Sequence, residues 1–402
     1  MFLFYSLAPV RLYSEFELAG NFEARWRREV SAMATPDQGI AGRKVGAVVE
    51  AERRRGRGAR SNAAGRFETE RREEFDDGWD SLAALPAFQT VVKTERARSI
   101  IATNDSPDIS FDQSINPYRG CEHGCIYCYA RPTHSFLGHS PGIDFETLLY
   151  AKTTAAEVLE KELANPRYLP RTIALGAVTD PYQPIERRYG ITRAILQVLE
   201  AARHPVGIVT KSALVVRDID ILARMARDDL VKVALSVTTL DADVARKMEP
   251  RAMTPGKRLE AIRALADAGV PASVMVAPII PGLNDHEIEP ILAAAAAAGA
   301  RSAGYVLLRL PLELKDLFRE WLATDFPDRA NKVLHLLQSM HGGRDYSAQF
   351  GQRQTGSGPY AQQIGARFRL ALKRHGLDQR RQPMRLDLFV RPVLKGQQMS
   401  LL

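Results

Sequence analysis

Apolar residues follow two textures along this chain, and the change falls near residue 112. Before it, runs such as Arg53-Arg54-Arg55-Gly56-Arg57-Gly58-Ala59-Arg60 and Glu73-Glu74-Phe75-Asp76-Asp77 have little apolar periodicity and bury little. Residues 1–95 are therefore expected to form a loosely ordered, basic N-terminal extension. Within it, Gly56-Arg57-Gly58-Ala59-Arg60-Ser61-Asn62, followed by Gly65-Arg66-Phe67, reads as a flexible basic segment. After residue 112, Ser114-Ile115-Asn116-Pro117-Tyr118-Arg119-Gly120 reads as a short first strand, and runs rich in Val, Ile, Leu and Ala predict strands at 172–178, 206–210, 231–237, 272–280 and 303–310. Helical patterns lie between them, near 153–164, 190–203, 216–228, 255–268 and 285–299. Strands alternating with helices imply an α/β domain, residues 96–310, built on a parallel sheet with right-handed crossovers. Helical patterns near 311–323, 328–341 and 359–375, separated by a Gly-rich connection at 341–358, make residues 311–402 a helical C-terminal extension with a basic tail.

In β/α barrels the chemistry collects at the carboxyl ends of the strands, so the residues after each predicted strand carry the functional reading. The first strand leads into Cys121-Glu122-His123-Gly124-Cys125-Ile126-Tyr127-Cys128, which holds all three cysteines of the chain. Three thiols on one loop are too many for a single nucleophile and one short of the four ligands of a structural zinc site. A [4Fe–4S] cluster normally takes one Cys per iron, so three leave one iron for a ligand that is not protein. An open metal position is a requirement of catalysis rather than of structure. The competing reading is a Cys3His zinc site completed by His123, His134 or His139, in a non-catalytic nucleic-acid-binding module.

The C-x3-C-x2-C spacing, with Tyr127 just before the third Cys, resembles the cluster loop of the radical S-adenosylmethionine (SAM) superfamily. The later strand ends resemble its spore photoproduct lyase branch, over about residues 112–310. The resemblance implies a partial (β/α)6 TIM-like barrel, a [4Fe–4S] cluster held by Cys121, Cys125 and Cys128, and SAM bound to the free iron through its amino and carboxylate groups. An electron from reduced ferredoxin or flavodoxin then yields a 5′-deoxyadenosyl radical. It also implies that Tyr127 packs the SAM adenine and that Tyr127 and Tyr129 lie near the radical. After the second strand the family often has a Gly-Gly-Glu type motif; this chain offers Thr179 and Asp180 instead, a hydroxyl and a carboxylate able to accept from the SAM ammonium. Lys211 after the third strand suits the SAM carboxylate. Ser236 and Thr238 after the fourth correspond to a region near SAM and its ribose, and Arg251 is either a clamp on the methionyl carboxylate or a surface ion-pair partner. Residues 277–285 form an apolar shelf in the family, with Asn284 and Asp285 read as helix N-caps. Photoproduct lyases return a hydrogen atom from a cysteine on the second strand. Here that stretch is Gly176-Ala177-Val178, which argues against a strict photoproduct lyase and leaves the substrate unnamed. The pieces 341–346 and 350–353 are candidates for a substrate lid, against a plain Gly-rich connection.

Composition narrows the setting. Of 402 residues, 45% are hydrophobic and 25% charged, as in ordinary globular chains, and no apolar run is long enough to span a membrane. The opening residues lack a basic leader and a cleavage site, and the cysteines are confined to one motif, so a reducing, cytoplasmic location is expected. Met33 is a second candidate for the first residue. The net charge of +8 is uneven: residues 43–72 carry +6 and residues 367–395 carry +7, which leaves −5 for the remainder. Basic flanks on an acidic core point to a polyanion partner, with nucleic acid the first candidate, or else to solvated arms.

Overall fold

The computed structural model describes residue 49 and residues 51–68, 87–379 and 383–394. The acidic run 73–77 and both candidate starts lie outside them. Ten strands are described: β1 (Val91–Glu95), β2 (Ile101–Thr103), β3 (Gln113–Ile115), β4 (Tyr118–Arg119), β5 (Leu148–Lys152), β6 (Ile173–Leu175), β7 (Val206–Thr210), β8 (Val231–Ser236), β9 (Ala272–Ile279) and β10 (Ser302–Leu307). Strands β3, β6, β7, β8, β9 and β10 are parallel neighbours in chain order, and β2 adds antiparallel outside β3. These are the six strands expected from the sequence. Because β10 and β2 occupy opposite edges, the sheet is an open, partial (β/α)6 barrel.

The packing follows from side-chain period. Along β9 the alternate residues Ala272, Val274 and Val276 are buried. On the helix Ile191–Ala201, Ile191, Ile195, Leu196 and Leu199 share the inner face and are buried. Each such Ile or Leu contributes about 1.5–3 kcal/mol relative to an exposed position.

Three differences from the expected elements have local causes. The first strand stops at Ile115 because Pro117 cannot donate to the ladder, and the chain turns away as β4 to pair with β5. The second stops at Leu175 because Gly176 takes φ +95°, where a Cβ would overlap the Val209 carbonyl oxygen. A second, three-stranded sheet of order β1-β5-β4 was not legible in the pattern, and β1 falls inside the stretch read as loosely ordered.

The basic segment Gly56 to Asn62 is not a flexible arm. Arg57, Gly58, Ala59 and Ser61 are buried, because backbone and side chains there find partners on Glu146, behind the cysteine loop, and on the C-terminal extension. At the other end, residues 383–394 run across the amino ends of the barrel strands. Just before that segment Asp378 bridges Ser302 at the start of β10, and within it the Arg385 amide donates to Asp229 O ahead of β8 (3.2 Å) and the Val390 amide donates to Ala202 O ahead of β7 (2.8 Å). Phe389 seats against Tyr168 and His204, with ring centroids at 5.8 and 5.5 Å. Among the described residues no helix is long and apolar enough to cross a membrane.

Candidate functional site

The cysteine loop leaves β4 at the carboxyl end of the barrel and is pinned on both sides: the Cys121 amide donates to Phe145 O (2.9 Å) and the Ile126 amide to Met248 O (3.0 Å). Gly120 and Gly124 take φ +70° and +69°, and a Cβ at either would meet Phe145 O or Glu146 Oε2 at 2.8 and 2.7 Å. The three cysteines are free thiols; Cys121 and Cys125 are buried and Cys128 is partly exposed. Behind the loop sits Arg131, fully buried, donating to Cys125 O (2.9 Å), Gly124 O (3.1 Å), Pro141 O and Gly142 O, and pairing with Glu146 at 2.5 Å. Burial pushes the Cys121 thiol well up, reinforced by Asp180. It pushes the Cys125 thiol up to about 12, against the pull of Lys211.

In front of the loop, the strand ends form two networks. The first centres on Glu249, which sequence reading passed over. Its carboxylate takes Thr238 Oγ1 (2.6 Å), the Tyr127 hydroxyl and the Arg258 guanidinium, all buried. Burial works against the charged form of Glu249. Arg258, Lys211 and the hydrogen bonds outweigh it and hold the pKa at about 2. Arg258 also donates to Ser236 O (3.0 Å), so Ser236, Thr238 and Tyr127 are drawn together around one buried carboxylate. The Glu-Pro-Arg run at 249–251, which follows the fourth strand end, is the signal in the sequence that points to it.

The second network centres on Asp180. It accepts from Thr210 Oγ1 (2.6 Å) and from the amides of Lys211 (2.8 Å) and Tyr182 (2.9 Å), and it faces His123 Nδ1 at 3.4 Å. Burial opposes its charge; His123 and these donors prevail and lower its pKa to about 2. Thr179 donates its hydroxyl to Tyr118 O (3.0 Å). Both residues expected to receive the SAM ammonium thus already tie the ends of β4, β6 and β7 together.

Lys211 and Arg309 are different. The Lys211 ammonium lies over the Tyr127 ring (5.6 Å) and the Arg309 guanidinium over the Tyr129 ring (4.7 Å), and among the described residues neither makes an ion pair. The two tyrosines flank Cys128, and Tyr129 also donates its hydroxyl to Ala177 O at the end of β6.

Arg251 pairs with Glu122 (2.8 Å), the ion-pair alternative rather than a free clamp. Asn284 and Asp285 do not cap a helix; their side chains take the amides of Ile280 (2.6 Å) and Gly282 (2.9 Å) and lock the turn after β9. His139 bonds the Tyr150 hydroxyl (2.7 Å) and His134 packs on Phe145. Among the described residues no three His, Cys, Asp or Glu side chains converge as ligands of one ion. A zinc ion draws its ligands to about 2.0–2.3 Å, whereas a cubane takes each thiolate on a separate iron. The candidate lid is anchored: Arg353 pairs with Asp108 (2.5 Å), the Gly351 amide donates to Asp108 (2.7 Å), and Leu307 at the end of β10 donates to Gln354 O (2.8 Å).

The model of the radical SAM superfamily matches residues 115–295, from β3 through the helix after β9. An uncharacterised protein of Mycobacterium tuberculosis is 39% identical over 279 residues, covering 65% of this chain and 81% of that one. The chain belongs to the radical SAM superfamily. Members of this superfamily use a [4Fe–4S] cluster and SAM, and these are its cofactors. An uncharacterised protein of Methanocaldococcus jannaschii is 30% identical over 176 residues, covering 43% of this chain and 62% of that one. In fold, the chain is similar to spore photoproduct lyase complexed with dinucleoside spore photoproduct, with a TM-score of 0.51 and 17% identity over 71% of this chain and 79% of that one. The residues present fit the superfamily's cofactors: three free thiols on one pinned loop, with the Lys211 ammonium making no ion pair among the described residues.

Proposed function

We propose that Cys121, Cys125 and Cys128 hold three irons of the cluster, and that SAM occupies the fourth position in the crevice in front of the loop. The observation that carries this reading is the set of three free thiols at the carboxyl end of the barrel, beside Lys211, which makes no ion pair among the described residues. When bound and reduced by one electron, the cluster and SAM supply a 5′-deoxyadenosyl radical. Lys211 receives the SAM carboxylate as a point charge. Ser236 lies beside the ribose, and Tyr127, oriented by Glu249 and Thr238, packs the adenine. Thr179 and Asp180 orient the ammonium through the lone pairs left on oxygens already in use. Arg251 acts at one remove, by fixing Glu122 on the cluster loop.

The chain on this reading is an enzyme that abstracts hydrogen from its substrate, with reduced ferredoxin or flavodoxin as donor in a reducing cytoplasm. The anchored residues 341–358 and the barrel wall exclude water and stray hydrogen donors around the site. Arg309, stacked on Tyr129 without an acidic partner among the described residues, favours an anionic substrate, and nucleic acid is the class we propose. The domain reading goes with it: residues 96–310 carry the chemistry, flanked by the basic extension 1–95 and the helical extension 311–402.

Metal content tests the reading. Protein reconstituted without oxygen should take up about four irons with matching sulfide, and Cys121→Ala should lose most of them. One equivalent of zinc and no iron retention would contradict it.

A further inference from the structure

The face of the cysteine loop turned away from the barrel is closed by residues 57–62, and one buried carboxylate joins the two. Glu146 is fully buried and accepts the Gly58 amide (2.9 Å) and the Ala59 amide (2.8 Å) while pairing with Arg131 at 2.5 Å. Arg131 in turn donates to the carbonyls of Gly124 and Cys125. Gly58 lies so close that a Cβ there would overlap the Gly124 carbonyl oxygen, so only glycine permits the approach. Arg57 donates to Glu146 O (3.0 Å), Phe88 O (3.1 Å) and Thr90 Oγ1 (3.0 Å), and Thr90 donates to Glu122, the residue after Cys121 (2.7 Å). Asn62 and Asp144 exchange bonds at 2.8 and 3.0 Å. The outer side of the segment is held by the C-terminal extension through Ser61 to Glu320 (2.7 Å), Arg60 to Asp325 and Arg66 to Glu313 (2.6 Å).

Resting on the cluster reading above, we propose that residues 57–62 are a brace for the cluster loop, keyed through Glu146, and that docking of the brace and occupancy of the cluster stabilise each other. The physical reason is shared geometry. The loop carbonyls are held by Arg131, Arg131 is held by Glu146, and the remaining donors to the Glu146 carboxylate among the described residues are the Gly58 and Ala59 amides. Undocking the segment removes two donors from a buried carboxylate and opens the back of the loop to water, and a loop free to move no longer presents three thiolates in one arrangement. By linkage, what favours the docked brace favours the loaded cluster, and the reverse holds to the same degree. Arg131, Glu146 and Gly58 are positioning residues on this account, acting through the backbone of the cysteines.

The test uses the full chain, with and without reconstituted cluster. Trypsin cleavage after Arg57 and Arg60, read by mass spectrometry, should be at least about tenfold slower in the loaded protein. Gly58→Ala should abolish that cluster-dependent protection and release iron to a ferrous chelator at least about tenfold faster than wild type. Asn62→Ala, a milder change at the end of the segment, should shift both rates in the same direction and keeps the question decidable if the Gly58 variant does not fold. A segment that is only structural would be cleaved at one rate whether or not the cluster is present. Equal cleavage rates, or iron release unchanged in the variants of a protein that loads iron normally, would overturn the brace alone. A wild-type protein that takes up no cluster would overturn the reading beneath it.

Discussion

Lys211 and Asp180 stand next to each other around the end of β7, and their environments assign them opposite tasks. Asp180 has its oxygens filled by Thr210, the Lys211 amide and the Tyr182 amide, so its first duty is to hold strand ends in register. Lys211 has a tyrosine ring beneath it and no ion-pair partner among the described residues. Burial disfavours its charge, but Cys125 and Glu249 outweigh that and keep it protonated. Lys211→Met should therefore weaken SAM binding, measured by calorimetry on loaded protein, by about 10- to 100-fold, the scale of losing one charge-assisted contact. It should leave the melting temperature near that of wild type. Unchanged SAM affinity would remove Lys211 from the site. Chemistry was readable here because it sat in residue type and position after a strand. Partnership was not: nothing near Asp180 in the chain announces that two of its donors, Thr210 and the Lys211 amide, come from about thirty residues away, and Glu249 gained its importance from Arg258 and Tyr127 only in three dimensions.

At the scale of elements, five of the six parallel strands were legible as runs rich in Val, Ile, Leu and Ala, whereas β3, Gln113-Ser114-Ile115, was marked mainly by its place before Pro117 and the cysteine loop. The brace and the C-terminal strap were not legible, because their stability comes from backbone groups and arginines satisfied by distant partners rather than from apolar period. Among the described residues of the two basic stretches, Arg60, Arg66, Arg367 and Arg385 pair with carboxylates of the protein, which narrows the charge left for a polyanion, while Arg57 and Arg391 are held by neutral acceptors. The strap gives a pH prediction. His204 is buried between Tyr168 and Phe389, and burial lowers its pKa to about 4. The unfolded chain takes up a proton near pH 6.5 that the folded chain refuses until about pH 4. Stability is therefore lost as pH falls through that window, by at most about 3 kcal/mol from this group, and levels off below it. A His204→Asn variant should lose less stability than wild type between pH 6.5 and 4 in urea titrations, and equal slopes would contradict the assignment.

For the whole molecule, the open barrel places three thiols, two cations stacked on tyrosines and a buried carboxylate at one end, while the strap closes the other. That polarity suits a reaction in which a reactive species is made at the mouth and kept from water by the packed interior. The most direct measurement is 5′-deoxyadenosine formation from SAM by the full, reconstituted chain under dithionite without oxygen. Wild-type protein should form at least one equivalent and Cys128→Ala none. Absence of product from protein that holds a full cluster, or cleavage that survives in the Cys128 variant, would contradict the account.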